Sequence, residues 1–158
     1  MRFWFDTEFM DDGRTIDLIS IGIVADDGRE YYAESNECDL SRANDWLRAN
    51  VLPRLVLGSA RSRKLMAKEI RAFVGYKPEL WAYYADYDWV ALCQLYGSMI
   101  DLPQGWPNWC RDVKQLCVDK GDPRLPKSPT REHNALADAR WNREAWQYLM
   151  ELESVRQP

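Results

Sequence analysis

The chain opens with an apolar block, Phe3-Trp4-Phe5, and then sets acids at alternate positions, Asp6 and Glu8. An apolar run followed by a period-2 pattern predicts a short core strand over 2–8. Ile16 to Ala25 is rich in β-branched residues and predicts a second strand. Asp26-Asp27-Gly28 carries hairpin-turn chemistry, so Arg29 to Glu34 resumes as a third strand, all three antiparallel. The period then lengthens. Ser41 caps a predicted helix to about Asn50 that Pro53 stops, and Ser59 to Val74 forms a second helix with apolar positions at Leu65, Ile70, Phe73 and Val74. Leu80 to Tyr84 is an apolar aromatic run of strand length, and Trp89 to Tyr96 is a helix ended by Gly97. After a loop at Pro103 to Pro107, Trp109-Cys110 predicts a brief last strand, followed by a helix from Asp112 to Lys120. Three prolines make Gly121 to Thr130 an irregular loop, and the longest helix runs from Asn134 to Glu153. This order predicts one α/β domain over residues 1–158, a mixed five-stranded sheet flanked by helices.

Composition agrees with one core: 158 residues, 46% of them apolar, suffice for one domain and are too few for two. No segment approaches the run of about 18 apolar residues that a membrane span needs. Asp6 and Glu8 come too early for a secretory segment, so the expectation is a soluble cytoplasmic protein. Cys38, Cys93, Cys110 and Cys117 lack metal-site spacing and are expected as reduced thiols. A net charge of −4 argues against a polyanionic partner unless the acids gather in one pocket and bind cations. In that case Arg61, Arg63, Lys64, Lys68 and Arg71, or Lys120, Arg124, Lys127 and Arg131, are the candidate phosphate-facing groups; as isolated clusters both are ordinary solvated faces.

The chemistry concentrates at the two ends of the chain. Asp6 and Glu8 leave one face of a strand with Cα atoms about 7 Å apart, close enough to share a metal ion or a pair of them. Asp138, Trp141, Ala145, Leu149 and Leu152 form one stripe of the last helix, so Asp138 begins a face that is otherwise apolar and needs a partner there. His133, the only histidine, lies about 140° away around a continuous helix and therefore belongs to the loop or cap before it. From that position an imidazole can serve as a general base. A fourth carboxylate comes from the Tyr84-Ala85-Asp86-Tyr87-Asp88-Trp89 turn, where Asp86 and Asp88 both qualify and Asp86 suits the helix N-cap better. Among eight tryptophans, Trp4, Trp81, Trp89, Trp141 and Trp146 lie inside predicted elements, whereas Trp106 and Trp109 stand outside any periodicity as candidates for an interface or a base platform.

Asp6-x-Glu8 on the first strand, Asp88 at a mid-chain helix start, and His133-x4-Asp138 at the last helix resemble the DEDDh group of 3′-to-5′ exonucleases, whose fold is RNase H-like. The match runs through nearly the whole chain in order. Phe5-Asp6-Thr7-Glu8-Phe9 with Asp12-Gly13, Leu18-Ile19-Ser20-Ile21-Gly22, Asp27-Gly28-Arg29-Glu30-Tyr31-Tyr32-Ala33 and Ala91-Leu92-Cys93-Gln94-Leu95 are similar to the polyadenylate-specific 3′-exoribonuclease (RNase AS) family. The resemblance implies that Asp6, Glu8, Asp88 and Asp138 hold two Mg2+ or Mn2+ ions and that His133 deprotonates the attacking water. It also implies that Phe9 and Met10 wedge against the terminal base, and that a homodimer removes adenylate from single-stranded RNA 3′ ends. The rival functions are a DNA proofreading-type or oligoribonucleotide exonuclease, and a catalytically inactive RNA-binding module.

Overall fold

The computed structural model describes residues 1–128 and 133–155, with side chains up to 152. A mixed sheet in the order β4-β3-β2-β1-β5-β6 forms its centre. Its long members are β1 (Arg2–Asp11), β2 (Ile16–Ala25) and β3 (Glu30–Ser35), which pair antiparallel in sequence. β5 (Glu79–Ala82) then lies parallel to β1, and β6 (Arg111–Asp112) parallel to β5. The sheet has six strands rather than the expected five, because Ala60–Arg61 forms β4 parallel to β3. Two residues carry no period, so pattern reading merged them into the following helix.

Local chemistry explains the other shifts. Asn44, not Ser41, caps α1 (Asp45–Asn50) by accepting from Leu47 N at 2.9 Å, while Ser41 lies in a short 3-10 turn. Ser62 caps α2 (Arg63–Val74). The next helix, α3 (Asp86–Gln94), begins three residues earlier than its apolar residues suggest, and its N-cap is Ala85, which makes no side-chain cap bond. Asp86 is therefore the first helical residue, favoured there by the macrodipole rather than by capping. Asp112 caps α4 (Val113–Asp119), and α5 (Ala135–Val155) is the longest element. Residues 121–128 are irregular, as the closely spaced Pro123 and Pro126 dictate; the remainder of that loop, with Pro129 and Arg131, lies outside the described residues.

Because successive side chains on β1 point to opposite faces, its apolar block feeds two cores. Phe3 and Phe5 pack with Met66 and Ile70 of α2 and Leu92 of α3. Trp4 packs on the other face with Trp81, Val113 and, from α5, Ala145, Trp146 and Leu149. Asn142 of α5, almost fully buried, donates from Nδ2 to the Phe5 carbonyl at 2.9 Å and ties helix to strand. The start of α5 lies directly on Gly22 of β2, where a Cβ would fall 2.4 Å from the Ala135 carbonyl and from Leu136 Cα. Only glycine permits that approach. Among the described residues no helix is long and apolar enough to cross a membrane, and all four cysteines are free thiols.

Candidate active site

By the same alternation, Asp6 and Glu8 follow Trp4 on the face covered by α5, while Thr7 follows Phe5 on the face covered by α3. Gly22 pairs with Asp6 across the sheet, so the close contact at Gly22 sets the first turn of α5 against the acids of β1. Carboxylate oxygens of Asp6, Glu8 and Asp138 then lie within 4.8 Å of one another. Asp88 reaches the group from the other side of the strand. Its Oδ1 accepts from Thr7 N at 2.8 Å and from Thr7 Oγ1 at 2.5 Å, which ties the carboxylate to the residue that separates Asp6 and Glu8 in sequence. The structure therefore brings Asp88 to the cluster and leaves Asp86 exposed.

Asp138 is oriented by the chain that precedes its helix. His133 N and Asn134 N donate to its Oδ2 at 2.8 and 3.1 Å, and Asn134 Oδ1 accepts from Ala137 N. One motif thus caps the helix and orients a carboxylate. His133 has φ +67°, a conformation uncommon outside glycine and favoured only where the surroundings impose it. Its ring meets the edge of Trp46, from α1, with centroids 4.8 Å apart.

Burial and mutual repulsion leave these acids short of positive charge. Burial, and then the charges of Asp88, Glu8 and Asp138, push the Asp6 carboxyl well above the usual range. Glu8 is pushed up to about 8, mainly by burial and then by Asp138 and Asp88, with Arg54 opposing. Burial raises Asp88 to about 7 against the two bonds from Thr7, which favour its charged form. A set of hard oxygen donors this crowded suits divalent cations of the magnesium and manganese type. The acidic cluster thus fits a divalent-metal dependence.

A cavity of about 490 Å³ opens over the four carboxylates and His133. Its walls are aromatic: Phe9, Trp46, Tyr83, Tyr84, Tyr87 and Trp141 line it together with Thr7, Leu47, Ser128 and Asn142. Phe9 stacks on Tyr87 at 5.6 Å with planes 16° apart. Met10 is not on the lining; it is buried with Ile19, Ala43, Leu47 and Val51, because alternation turns it away from Phe9. Trp106 and Trp109 do not line the cavity either. Trp106 is core, donating from Nε1 to the Gly75 carbonyl at 2.8 Å, and Trp109 stands exposed beside Arg111. None of the lysines and arginines of either candidate cluster reaches the lining among the described residues; Arg63 pairs with Asp17 and Arg61 with Glu69.

Sequence reasoning missed Thr7, Trp46, Asn134 and the three tyrosines. Thr7 was legible only as the odd residue between two acids. Trp46 and the tyrosines carry no local signal, since they reach the site from α1, from the turn after β5 and, for Tyr87, from the first turn of α3.

The class emerges first from the fold. The zinc-bound Escherichia coli ExoI–single-stranded DNA complex superposes with a TM-score of 0.69 over 98% of this chain and 41% of that one at 12% identity. The structure of yeast NOT1 MIF4G domain co-crystallised with CAF1 matches at 0.53 over 97% and 80%, at 13% identity. The chain spans about two-fifths of the length of the exonuclease I chains it matches. At such identities the likeness is one of fold, the RNase H-like fold of exonucleases. Two Mycobacterium tuberculosis proteins, 3′-5′ exoribonuclease Rv2179c of strain H37Rv and 3′-5′ exoribonuclease MT2234.1 of strain CDC 1551, are each 48% identical over 147 residues, 89% of this chain and 88% of theirs. The model of the 3′-5′ exoribonuclease Rv2179c-like domain matches residues 1–150. The chain belongs to that family, and with it to the nucleases, enzymes that hydrolyse phosphodiester bonds.

Proposed function

We propose that this protein is a two-metal 3′-to-5′ exoribonuclease of the DEDDh type, akin to RNase AS, which trims single-stranded, adenylate-rich RNA and releases nucleoside 5′-monophosphates. The observation that carries this reading is the meeting of Asp6, Glu8, Asp88 and Asp138 beneath one open cavity with His133 beside them. Four acids balance two divalent cations, Mg2+ or Mn2+. When bound, such ions neutralise charge on the phosphodiester and make the attacking water more acidic.

The chain's own residues do the rest. Asp6, Glu8, Asp88 and Asp138 hold the ions; Thr7 keeps the Asp88 carboxylate oriented, and the His133 and Asn134 amides do the same for Asp138. His133 takes the proton of the water that attacks the last phosphodiester in line. The bond from phosphorus to the 3′ oxygen of the preceding nucleotide breaks, leaving a new 3′-hydroxyl on the strand and a 5′-phosphate on the released nucleotide. Phe9, braced on Tyr87, offers a ring to the terminal base, and Met10 supports that wall from behind. The family resemblance adds a homodimer, which the sedimentation mass of the purified chain checks directly.

The test is a 5′-labelled oligoadenylate RNA and its DNA counterpart, incubated with Mg2+, with Mn2+ and with chelator. A metal-dependent ladder shortening from the 3′ end of RNA is expected. Equal trimming of both strands transfers the protein to the proofreading type, because a ribonuclease reads the 2′-hydroxyl. Binding without shortening in any metal would establish an inactive RNA-binding module.

A further inference from the structure

The aromatic lining holds one residue whose backbone conformation is costly and whose side chain makes little use of it for packing. Tyr84 has φ +54°, the left-handed region that side chains other than glycine, asparagine and aspartate rarely adopt. The residue is nonetheless 62% exposed at the cavity lip, so the strain is not offset by burying the tyrosine. The conformation is imposed from outside. Asp112 Oδ2 accepts from Ala85 N at 2.9 Å, fixing the residue that follows, while Asp112 Oδ1 is committed to the amides of Lys114 and Gln115. Tyr83 meets the Tyr84 ring edge-on at 4.7 Å, and Tyr83 is in turn set against Trp141 at 4.9 Å. A strained, over-determined residue that presents an aromatic face to a cavity is the form in which proteins store positioning at functional sites.

The chemistry of the cavity says what that face meets. Of its 15 described lining residues four are carboxylates, six are Phe, Trp or Tyr, and none is lysine or arginine. Among the described residues of the lining, a single strand entering here finds rings for its bases and no lysine or arginine for its phosphates. Base stacking then has to supply a large share of the affinity, and each stacked base contributes on the order of 1–3 kcal/mol.

We propose that Tyr84, held at the cavity lip by Asp112 and Tyr83, is a stacking platform for a nucleobase of the substrate strand and so a specificity-determining residue. This rests on the nuclease reading given above. The platform favours purines, whose larger faces overlap a phenol ring more fully, and it works through the ring rather than the hydroxyl.

Three forms of the full chain test it, wild type, Tyr84→Phe and Tyr84→Gly, each assayed in Mn2+ on oligoadenylate RNA, on oligouridylate RNA and on an abasic ribose-phosphate oligomer, a phosphodiester with no base. Tyr84→Phe is expected to match wild type throughout. Tyr84→Gly, relieved of the backbone strain, is expected to melt no lower than wild type. It should raise KM for oligoadenylate by roughly 5- to 100-fold with kcat little changed, narrow the preference for adenylate, and leave cleavage of the base-free ester unaltered. An unchanged KM in Tyr84→Gly, or a loss on the base-free ester as large as on RNA, overturns the platform while leaving the nuclease intact. A wild-type protein inactive on all three substrates overturns both readings.

Discussion

At one end of the contact between β1 and α5, Trp4 packs on Trp146 with centroids 5.2 Å apart, and Ala145 and Leu149 close the space around them. At the other end of the same contact, one turn of sheet alternation away, Asp6 and Glu8 face Asp138. The two regions share strand, helix and face, yet one removes apolar surface from water while the other crowds like charges into a half-dry cleft. The apolar end supplies the stability with which the acidic end is held in place; in the absence of cations the acidic end opposes it. Burial raises the proton affinity of Asp6, Glu8 and Asp88 for that reason.

The comparison is broken most sharply by exchanging what each end does. Asp6→Asn removes a proposed metal ligand and a repulsive charge together. Activity is expected to fall by on the order of 10³-fold, since electrostatic stabilisation by bound cations contributes several kcal/mol, while the metal-free melting temperature rises. His133→Ala is expected to lose about 10²- to 10⁴-fold in kcat with no loss of stability, as removal of a general base does. Steady-state kinetics and calorimetry on the same preparations check both. Wild-type rates in either variant would refute the assignment.

Trp146→Ala acts at the opposite end. Its cavity is expected to cost about 3–5 kcal/mol in urea unfolding, with surviving folded protein retaining its metal dependence. A smaller joint effect is expected from Gly22→Ala, the residue on which both ends depend. Its Cβ would lie 2.4 Å from the backbone of Ala135 and Leu136, so α5 must retreat and take Asp138 with it. A cost of about 1–3 kcal/mol is expected together with a fall in kcat, and neither loss should appear alone.

The smallest effect is a pH dependence of the metal-free protein. Burial and the neighbouring carboxylates push Glu8 up to about 8 in the folded chain, from an ordinary value of 4.5. Between those limits the folded state binds more protons than the unfolded one, so stability falls as pH rises across that window. Thermal melts in chelator are expected to drop by several degrees from about pH 5 to about pH 8.5, and saturating Mg2+ should remove most of the drop. A flat profile in chelator would mean that the acids are not as crowded as their positions require.

How much of this was legible beforehand depends on distance along the chain. The strand 16–25, the Asp26–Gly28 turn and the long last helix were read nearly to the residue, because their periods and turn chemistry are local. β4 was not, since two residues make no period, and Asn44 displaced Ser41 as a cap because both are good capping residues and only packing chooses between them. Of the candidate site residues, Asp6, Glu8, Phe9, Asp88, His133 and Asp138 line one cavity and Met10 does not; a β-strand's alternation separates Phe9 from Met10.

By itself, then, the sequence determined which residues are acidic, which strand and helix carry them, and that an apolar block must bury what precedes them, for these follow from hydrophobic period and residue type. Tertiary structure decided the rest. Asp88 rather than Asp86 meets the cluster because Thr7, 81 residues away, binds it. Trp46, Tyr84 and Tyr87 form the walls because α1, the turn after β5 and the start of α3 close on the same space. A contact between distant residues is settled by the packing of whole elements, and no local pattern records it.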